Sequence, residues 1–304
     1  MTVCIAAMSQ MSIVSASDRA IFGGSVSSDA GSDKQDSFAG EWQAMFSGND
    51  ITQAQPIIER AREYFDGRPN TLKEARSCFK RAVQDQIKEM ATDRFLSRFS
   101  LDMPTFKKSG NKLLDSITFS AICNDIRSVN LGELQFLIWG FDHLGSPHIF
   151  IVGSNGDDFV YDTVGFASLG WGATAADVVL HYLNQSRRRD LQETIYSVCA
   201  AKFMAERAGV GRDTYLFAKT FGTVAFSHRN GLIEKVRELW EHVGAPRVPE
   251  SISDTLKVYD IKCQTHKEAM DDLIKEFSLT QQPTTHDLQF QPALPESPEE
   301  SGES

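Results

Sequence analysis

Apolar residues occupy every second position in several stretches near the start of the chain, a pattern typical of β-strands. Strands are predicted over residues 2–8 and 11–19, and a further strand or strand pair over residues 34–47. Residues 23–33 are rich in glycine and serine, which suits a loop or a hairpin connection. The chain therefore begins with hairpin character.

Further along the chain, apolar residues recur every three or four positions, which predicts amphipathic helices. Thr71 is a good N-cap for the second of these helices. Residues 97–131 show a weaker pattern and are predicted to be helical or irregular. The predicted helices cover residues 52–65, 71–96, 174–184, 191–208, 230–243 and 266–277. The remaining predicted strands cover residues 134–142, 147–155, 157–170, 213–220, 223–228 and 255–263.

The order of these elements predicts an α+β fold. Strands, two helices, strands, two helices and strands follow one another, and hairpins outnumber strand–helix–strand units. We therefore expect a four-layer αββα sandwich, in which two antiparallel sheets pack face to face and helices cover both sides. Residues 1–277 are predicted to form this domain, with a helical excursion at about 66–133. Residues 278–304 are rich in Gln, Pro, Glu and Ser and are predicted to be a disordered acidic tail.

Composition and charge exclude several classes of protein. The net charge of −10 argues against a nucleic-acid or anionic-membrane surface, because both reward basic patches. The chain has no run of about 18 apolar residues and no secretory signal pattern, so we expect a cytoplasmic protein. The five cysteines and seven histidines show no metal-ligand spacing, which predicts neither a disulfide framework nor a metal or cofactor site.

Thr2 is the first candidate for chemistry. Removal of Met1 by methionine aminopeptidase would leave a threonine with a free α-amine, which combines a hydroxyl nucleophile with a base of pKa about 8. Many proteins begin in this way, so Thr2 alone indicates little. Three residues downstream change the picture, because Asp18, Lys34 and Gly48 stand 16, 32 and 46 residues after Thr2. Each lies at the start or end of a predicted strand.

In these residues the chain resembles proteasome β-subunits and the related bacterial HslV-type peptidases, which are N-terminal-nucleophile (Ntn) hydrolases. The threonine, aspartate, lysine and oxyanion-hole glycine of that family stand at the same offsets. Two further stretches are similar to the family, YDTVGFASLGWGATAADVVL (161–180) and AAKFMAERAGVGRDTYLF (200–217). The resemblance covers about residues 2–65 and 134–243.

The resemblance implies the Ntn-hydrolase form of the αββα sandwich and a threonine-type peptidase mechanism. The Thr2 hydroxyl would attack the scissile carbonyl while the α-amine accepts its proton. Lys34 would stabilise the developing negative charge, and Asp18 would keep Lys34 charged and oriented. The backbone N–H of Gly48 would donate to the oxyanion.

The same resemblance implies a substrate site. Phe46 would form the floor of the pocket for the side chain before the cleaved bond, which predicts a preference for small apolar side chains. Asp50 would line this pocket. The backbones of Phe22 and Asn49 would pair with an extended peptide as an added strand.

The chain departs from the family pattern at three positions that would support Thr2. Trp171 stands where a serine supports the threonine amine, which makes a packing or subunit-contact role the alternative. Glu206 stands where an aspartate assists, and Gly209 replaces a second serine. These departures put catalytic efficiency in doubt.

Three functions therefore stay open. The first is a threonine endopeptidase that acts on peptides or unfolded proteins and, by resemblance, assembles as a homo-oligomeric ring; an ATPase unfoldase is a candidate partner. The second is a small-amide Ntn hydrolase. The third is a structural or binding subunit of the same fold with weak or no catalysis. Neither nucleic acid nor a membrane is expected as a partner.

Overall fold

Two five-stranded antiparallel sheets form the centre of the described part of the chain. The computed structural model describes residues 2–19, 21–23, 26–28, 34–48, 51–227 and 230–244. The strands are β1 Cys4–Met8, β2 Ser12–Asp18, β3 Ile21–Gly23, β4 Val26–Ser28, β5 Gln35–Ala39, β6 Trp42–Ser47, β7 Gln135–Phe141, β8 Pro147–Val152, β9 Asp158–Val160, β10 Phe166–Leu169, β11 Thr214–Thr220 and β12 Thr223–Ser227. The helices are α1 Ala54–Phe65, α2 Leu72–Ala91, α3 Met103–Leu113, α4 Ser116–Ser128, α5 Ala173–Tyr182, α6 Leu191–Arg207 and α7 Asn230–Leu239.

The strand order shows how hairpins build both sheets. The first sheet has the order β10-β1-β2-β11-β12, and the second has the order β5-β6-β7-β8-β9. Strands β3 and β4 form a separate two-stranded ribbon, which agrees with the hairpin alternative for the Gly/Ser-rich stretch. The predicted α+β class with two antiparallel sheets and covering helices is confirmed.

Strand β1 is buried on both faces, and its successive side chains point alternately into two different cores. Val3, Ile5 and Ala7 pack in a cluster with side chains of α5 and α6. Cys4, Ala6 and Met8 point the other way, into a cluster that also contains β6 and β7 side chains of the second sheet. The inner faces of the two sheets therefore pack against each other, and helices cover the outer face of the first sheet.

The outer face of the second sheet is covered by α1 and α2. Phe79 of α2 meets Phe38 of β5 and Phe136 of β7 edge to face, with ring centroids 5.5 and 5.0 Å apart. Apolar residues spaced at three and four positions along α1, including Ile57, Ile58 and Ala61, complete this core. The apolar stripe of α2 extends it, as its periodicity predicts.

The region predicted as helical or irregular contains two regular helices, α3 and α4. Asp102 and Asp115 cap them, because each side chain accepts a hydrogen bond from backbone N–H groups of the first turn. Leu96, Phe106 and Ile122 form a small core of their own there. The helix predicted over 71–96 is α2 followed by a π-helical turn, Thr92–Leu96.

One predicted strand, over residues 157–170, is wrong, because the chain turns between β9 and β10. The N–H of Gly165 donates to the carbonyl of Tyr161 at 2.8 Å, and Gly165 has a φ of +84°. β9 pairs with β8 in the second sheet, whereas β10 pairs with β1 in the first. Apolar residues on both sides of Asp162 and Thr163 concealed this change of sheet.

Several predictions lie outside the described residues. They are the strand over 255–263, the helix over 266–277 and the tail over 278–304, so the structure describes the predicted 1–277 domain only as far as Gly244. Within the described part, no helix combines the length and the apolar content needed to cross a bilayer. Four cysteines in that part (Cys4, Cys78, Cys123 and Cys199) are free thiols.

Truncation of a side chain in the second helix-covered core tests its packing. Phe79 has no exposed surface, so Phe79→Ala leaves a cavity and is expected to lower the free energy of unfolding by about 3–5 kcal/mol. Phe159 is 61% exposed, and Phe159→Ala is expected to change it by less than about 0.5 kcal/mol. Urea unfolding measures both, and equal losses would contradict the assigned core.

His148 on β8 links two turns through charge. Its Nδ1 lies 2.6 Å from Asp162 Oδ2, and its Nε2 lies 3.4 Å from Asp142 Oδ2, a charge contact without hydrogen-bond alignment. Burial opposes the charged ring, but the hydrogen bond to Asp162 and the negative charges of both carboxylates outweigh it and raise the pKa of His148.

This shift predicts a pH-dependent stability. Because the folded pKa is raised, the contribution of His148 is fully present below about pH 6.5, the unfolded value, and is lost as pH rises through the folded pKa. His148→Gln should therefore destabilise the protein more at pH 6 than at pH 9. Urea unfolding at both pH values measures this, and equal losses would exclude the charge contact.

Candidate active site

A buried ammonium group, that of Lys34, joins two of the other predicted catalytic residues, Thr2 and Asp18. Lys34 Nζ donates to Thr2 Oγ1 at 2.8 Å and to Asp18 Oδ2 at 2.7 Å. The Lys34 side chain is 3% exposed, and the Asp18 side chain is fully buried. The structure therefore brings three of the predicted catalytic residues into one hydrogen-bonded chain.

Strand pairing explains why Thr2 and Asp18 meet. Cys4 of β1 pairs with Ser17 of β2, so the residues before β1 lie beside the end of β2. The N–H of Val3 donates to Asp18 Oδ1 at 2.8 Å, and the N–H of Asp18 donates to the Val3 carbonyl at 3.3 Å. Each Asp18 oxygen thus has a separate donor.

Lys34 reaches the site from the other sheet. It directly precedes β5, and its carbonyl accepts a hydrogen bond from the N–H of Phe46 on β6 at 3.3 Å. The contact between Lys34 and Asp18 therefore crosses from the second sheet to the first. This ion pair holds the Lys34 ammonium beside Thr2. It also links the two sheets at this end.

Two glycines after β10 hold the backbone of Thr2. The N–H of Gly172 donates to the Thr2 carbonyl at 3.2 Å. Gly170 has a φ of +95°, and a Cβ there would lie 2.5 Å from the Thr2 carbonyl oxygen and 2.7 Å from Ser47 Oγ. Only glycine allows the chain to pass this close to the candidate nucleophile.

Gly48 directly follows β6, at the same end of the second sheet as Lys34. A Cβ on Gly48 would lie 2.7 Å from the Leu134 Cα, so the backbones pass within contact distance. Two residues earlier, Phe46 is 9% exposed and packs in the core that contains Ala54 of α1. This placement leaves Phe46 largely enclosed by protein.

Of the remaining predicted substrate residues, the structure describes one. Phe22 lies in β3, and its backbone pairs with Ser27 of β4. Asn49 and Asp50 lie outside the described residues.

None of the three predicted supporting residues is hydrogen-bonded to Thr2 in the described part of the chain. Trp171 is 68% exposed, and its indole N–H donates to the Ala208 carbonyl at the end of α6, at 3.2 Å. Gly209 ends that helix with a φ of +92°. The hydrogen bonds of the Glu206 carboxylate within the described part run to Lys202 and Arg237.

Lys202 is a buried residue near this site that sequence reasoning missed. It has no exposed surface, and it stands among Ala200, Ala201 and Phe203 in the buried stretch of α6. A lysine within an apolar helical stretch, four residues before a glutamate, is the signal that could have found it.

The Cys4 thiol, which lies beside Lys34 and Asp18, is not a competing nucleophile. Burial raises the pKa of Cys4 to about 12, although the positive charge of Lys34 works in the opposite direction. Cys4 is therefore a neutral thiol whose Sγ lies 3.4 Å from the Phe46 carbonyl. In the described part, no group of three His, Cys, Asp or Glu side chains is arranged to hold a metal ion.

Comparison of the chain with models of known protein families and with curated proteins finds no match in either set. The interpretation of this site therefore rests on the chemistry of its residues.

A methyl group at Gly170 tests the close approach to Thr2. Gly132 also has a positive φ, +64°, but a Cβ there would meet no atom within 4 Å. Both alanine variants carry the left-handed backbone cost of about 1–2 kcal/mol. Gly170→Ala should lose about 1–3 kcal/mol more, because the Thr2 carbonyl must move. Urea unfolding measures both variants, and equal losses would contradict the contact.

Proposed function

We propose that the chain is a threonine-type peptidase of the Ntn-hydrolase superfamily, with Thr2 as its nucleophile after removal of Met1. The observation that carries this proposal is the buried Lys34 ammonium, 2.8 Å from Thr2 Oγ1 and 2.7 Å from Asp18 Oδ2. A cation held this close to a hydroxyl favours its developing alkoxide.

The reaction needs only groups at this site and water. The free α-amine of Thr2 accepts the hydroxyl proton, directly or through a water, while Oγ1 attacks the scissile carbonyl. The C–N bond then breaks, and the leaving amine takes the proton. Water hydrolyses the resulting Thr2 ester, which releases the carboxylic acid and restores the hydroxyl.

Lys34 and Asp18 serve this chemistry through charge and orientation. A buried ion pair is costly unless each partner is well satisfied, and here Asp18 also accepts the Val3 N–H. The lysine is thereby held in one position rather than swinging into solvent. The N–H of Gly48 is the proposed donor to the oxyanion. In comparable sites, loss of one such donor costs about 3–4 kcal/mol of transition-state stabilisation.

The layers described above support the finer fold assignment that we propose, the four-layer αββα Ntn sandwich. Helices pack on the outer face of each sheet. The apolar cluster that contains Cys4 of β1 and Met45 of β6 lies between the inner faces. A peptide or unfolded-protein substrate, a homo-oligomeric ring and an ATPase unfoldase as partner belong to the same proposal. Phe46, enclosed in its core, is consistent with a shallow pocket for small apolar side chains.

Two observations favour a second candidate, a subunit of the same fold with weak or no turnover. Trp171 is directed to solvent, and the carboxylate of Glu206 is bonded to Lys202 and Arg237. Neither side chain is hydrogen-bonded to Thr2 within the described residues. The Thr2 amine would then depend on water for its support. A small-amide hydrolase remains the third alternative, and activity on a small amide without a ring would favour it.

Covalent labelling of Thr2 tests the proposed function. Intact-mass measurement should show loss of Met1, and incubation with a β-lactone should add one probe mass at Thr2. Thr2→Ala should abolish labelling, and Lys34→Met should slow it by roughly 100-fold or more. Thr223→Ala removes an exposed threonine at the start of β12 and should label like the wild type.

Two results would overturn the proposal. Retention of Met1 on the purified protein would exclude Thr2 as an N-terminal nucleophile. Undiminished labelling and peptidase activity in Thr2→Ala would assign the chemistry to another residue. Labelling of Thr2 without peptide turnover would select the catalytically weak subunit.

A further inference from the structure

A second buried lysine lies behind the candidate active site. Lys202 of α6 donates to Glu206 Oε1 at 2.6 Å, to the Gly211 carbonyl at 2.6 Å and to the Arg212 carbonyl at 3.0 Å. Its side chain has no exposed surface. All three donor positions of the ammonium are therefore used.

Glu206 is shared between Lys202 and a second cation. Arg237 of α7 donates to both Glu206 oxygens, at 2.6 and 2.7 Å, and its guanidinium lies 4.0 Å from the Phe203 ring centroid. Two cations and one carboxylate leave the Lys202–Glu206–Arg237 cluster with a net charge of about +1 when all are ionised. The cluster joins α6, α7 and the segment before β11.

That segment leads directly to Asp18. The Gly211 and Arg212 carbonyls are three and two residues before Thr214, and Thr214 of β11 pairs with Asp18 of β2. The Thr214 hydroxyl also donates to the Arg212 carbonyl, at 3.3 Å. By holding these carbonyls, Lys202 fixes the start of the strand that flanks Asp18.

Charge connects the two lysines as well. Burial lowers the pKa of Lys202, while Glu206 and Asp18 raise it by favouring the ammonium, so the Asp18 carboxylate lies within electrostatic reach. Other charged groups around the cluster in the described part of the chain include Glu241 after α7, Arg207 and Arg212 near Glu206, the Arg19–Asp213 pair beside β11, and Lys34 beyond Asp18.

We propose that Lys202 is a positioning residue for the Thr2 site, which orients Asp18 through the start of β11 and adds positive potential behind it. This inference rests on the proposed function of Thr2. It also gives Glu206 a different role from direct support of the Thr2 amine, because Glu206 acts through Lys202.

Lys219 offers a matched control. It lies near the other end of the same strand β11, is 7% exposed, and pairs with Glu41 at 3.0 Å. Its register partner is Ile13, five residues from Asp18 along β2. Lys219→Met therefore removes a buried lysine ion pair from the same sheet without altering the surroundings of Asp18.

The test is the pH dependence of the rate at which a β-lactone labels Thr2. Lys202→Met removes positive charge, so the Thr2 amine should hold its proton to higher pH, and the acidic limb of the profile should move up by roughly half a pH unit or more. The plateau rate should fall as well. Lys219→Met should leave the limb within about 0.1 unit of the wild type.

Lys202→Gln separates charge from hydrogen bonding. It keeps an N–H donor for the carbonyls, so it should restore part of the plateau rate while keeping the shifted limb. Hydrogen exchange gives a readout that needs no catalysis: in Lys202→Met the amides of Val3 and Thr214 should exchange about 10-fold faster or more than in Lys219→Met.

The outcomes separate this inference from the proposed function. If wild-type Thr2 is not labelled, the proposed function fails. If Thr2 is labelled but Lys202→Met and Lys202→Gln keep the wild-type limb, or Lys219→Met shifts it equally, the role of Lys202 is overturned and the role of Thr2 stands.

Discussion

The candidate site depends on one buried contact, the ion pair between Lys34 and Asp18. Removing both charges from water is costly, and the pair persists because both charged groups have further partners. Asp18 accepts from Lys34 and from the Val3 N–H, and Lys34 also donates to Thr2. The two residues belong to different sheets. At this end of the two sheets, the ion pair therefore fixes both how the sheets pack and how the site residues are arranged.

Backbone geometry around Thr2 follows from this constraint. Thr2, two residues before β1, must lie within hydrogen-bond distance of Lys34, while its carbonyl accepts the Gly172 N–H. That arrangement leaves no space for a side chain at Gly170. Glycine at this position therefore serves close approach between two backbones, in addition to its positive φ.

A second set of buried charges lies behind Asp18, at positions where apolar side chains could pack instead. Lys202 and Glu206 are buried in α6, and Arg237 reaches them from α7. Buried charges of this kind seldom add net stability over well-packed apolar side chains. Their value here is geometric, because they hold the Gly211 and Arg212 carbonyls that set the start of β11.

Much of the fold and the centre of the site could be predicted from the sequence. Alternation with a period of two marked the strands, and Asp18, Lys34 and Gly48 fell at strand boundaries. The spacing of these residues predicted the site through its resemblance to the Ntn hydrolases, and Thr2, Asp18 and Lys34 are joined by hydrogen bonds in the structure. The helices α1, α5 and α6 lie where apolar residues recur every three or four positions, and this periodicity is also a local property of the sequence.

Other features were decided only by tertiary packing. The change of sheet between β9 and β10 depends on which neighbour each strand pairs with, and the apolar pattern is the same in both cases. Glu206 was read as a partner of Thr2, but its side chain meets Arg237, which is 31 residues away along the chain. Local sequence determines which residues face inward, whereas the choice among charged partners requires the positions of α6, α7 and β11 in space.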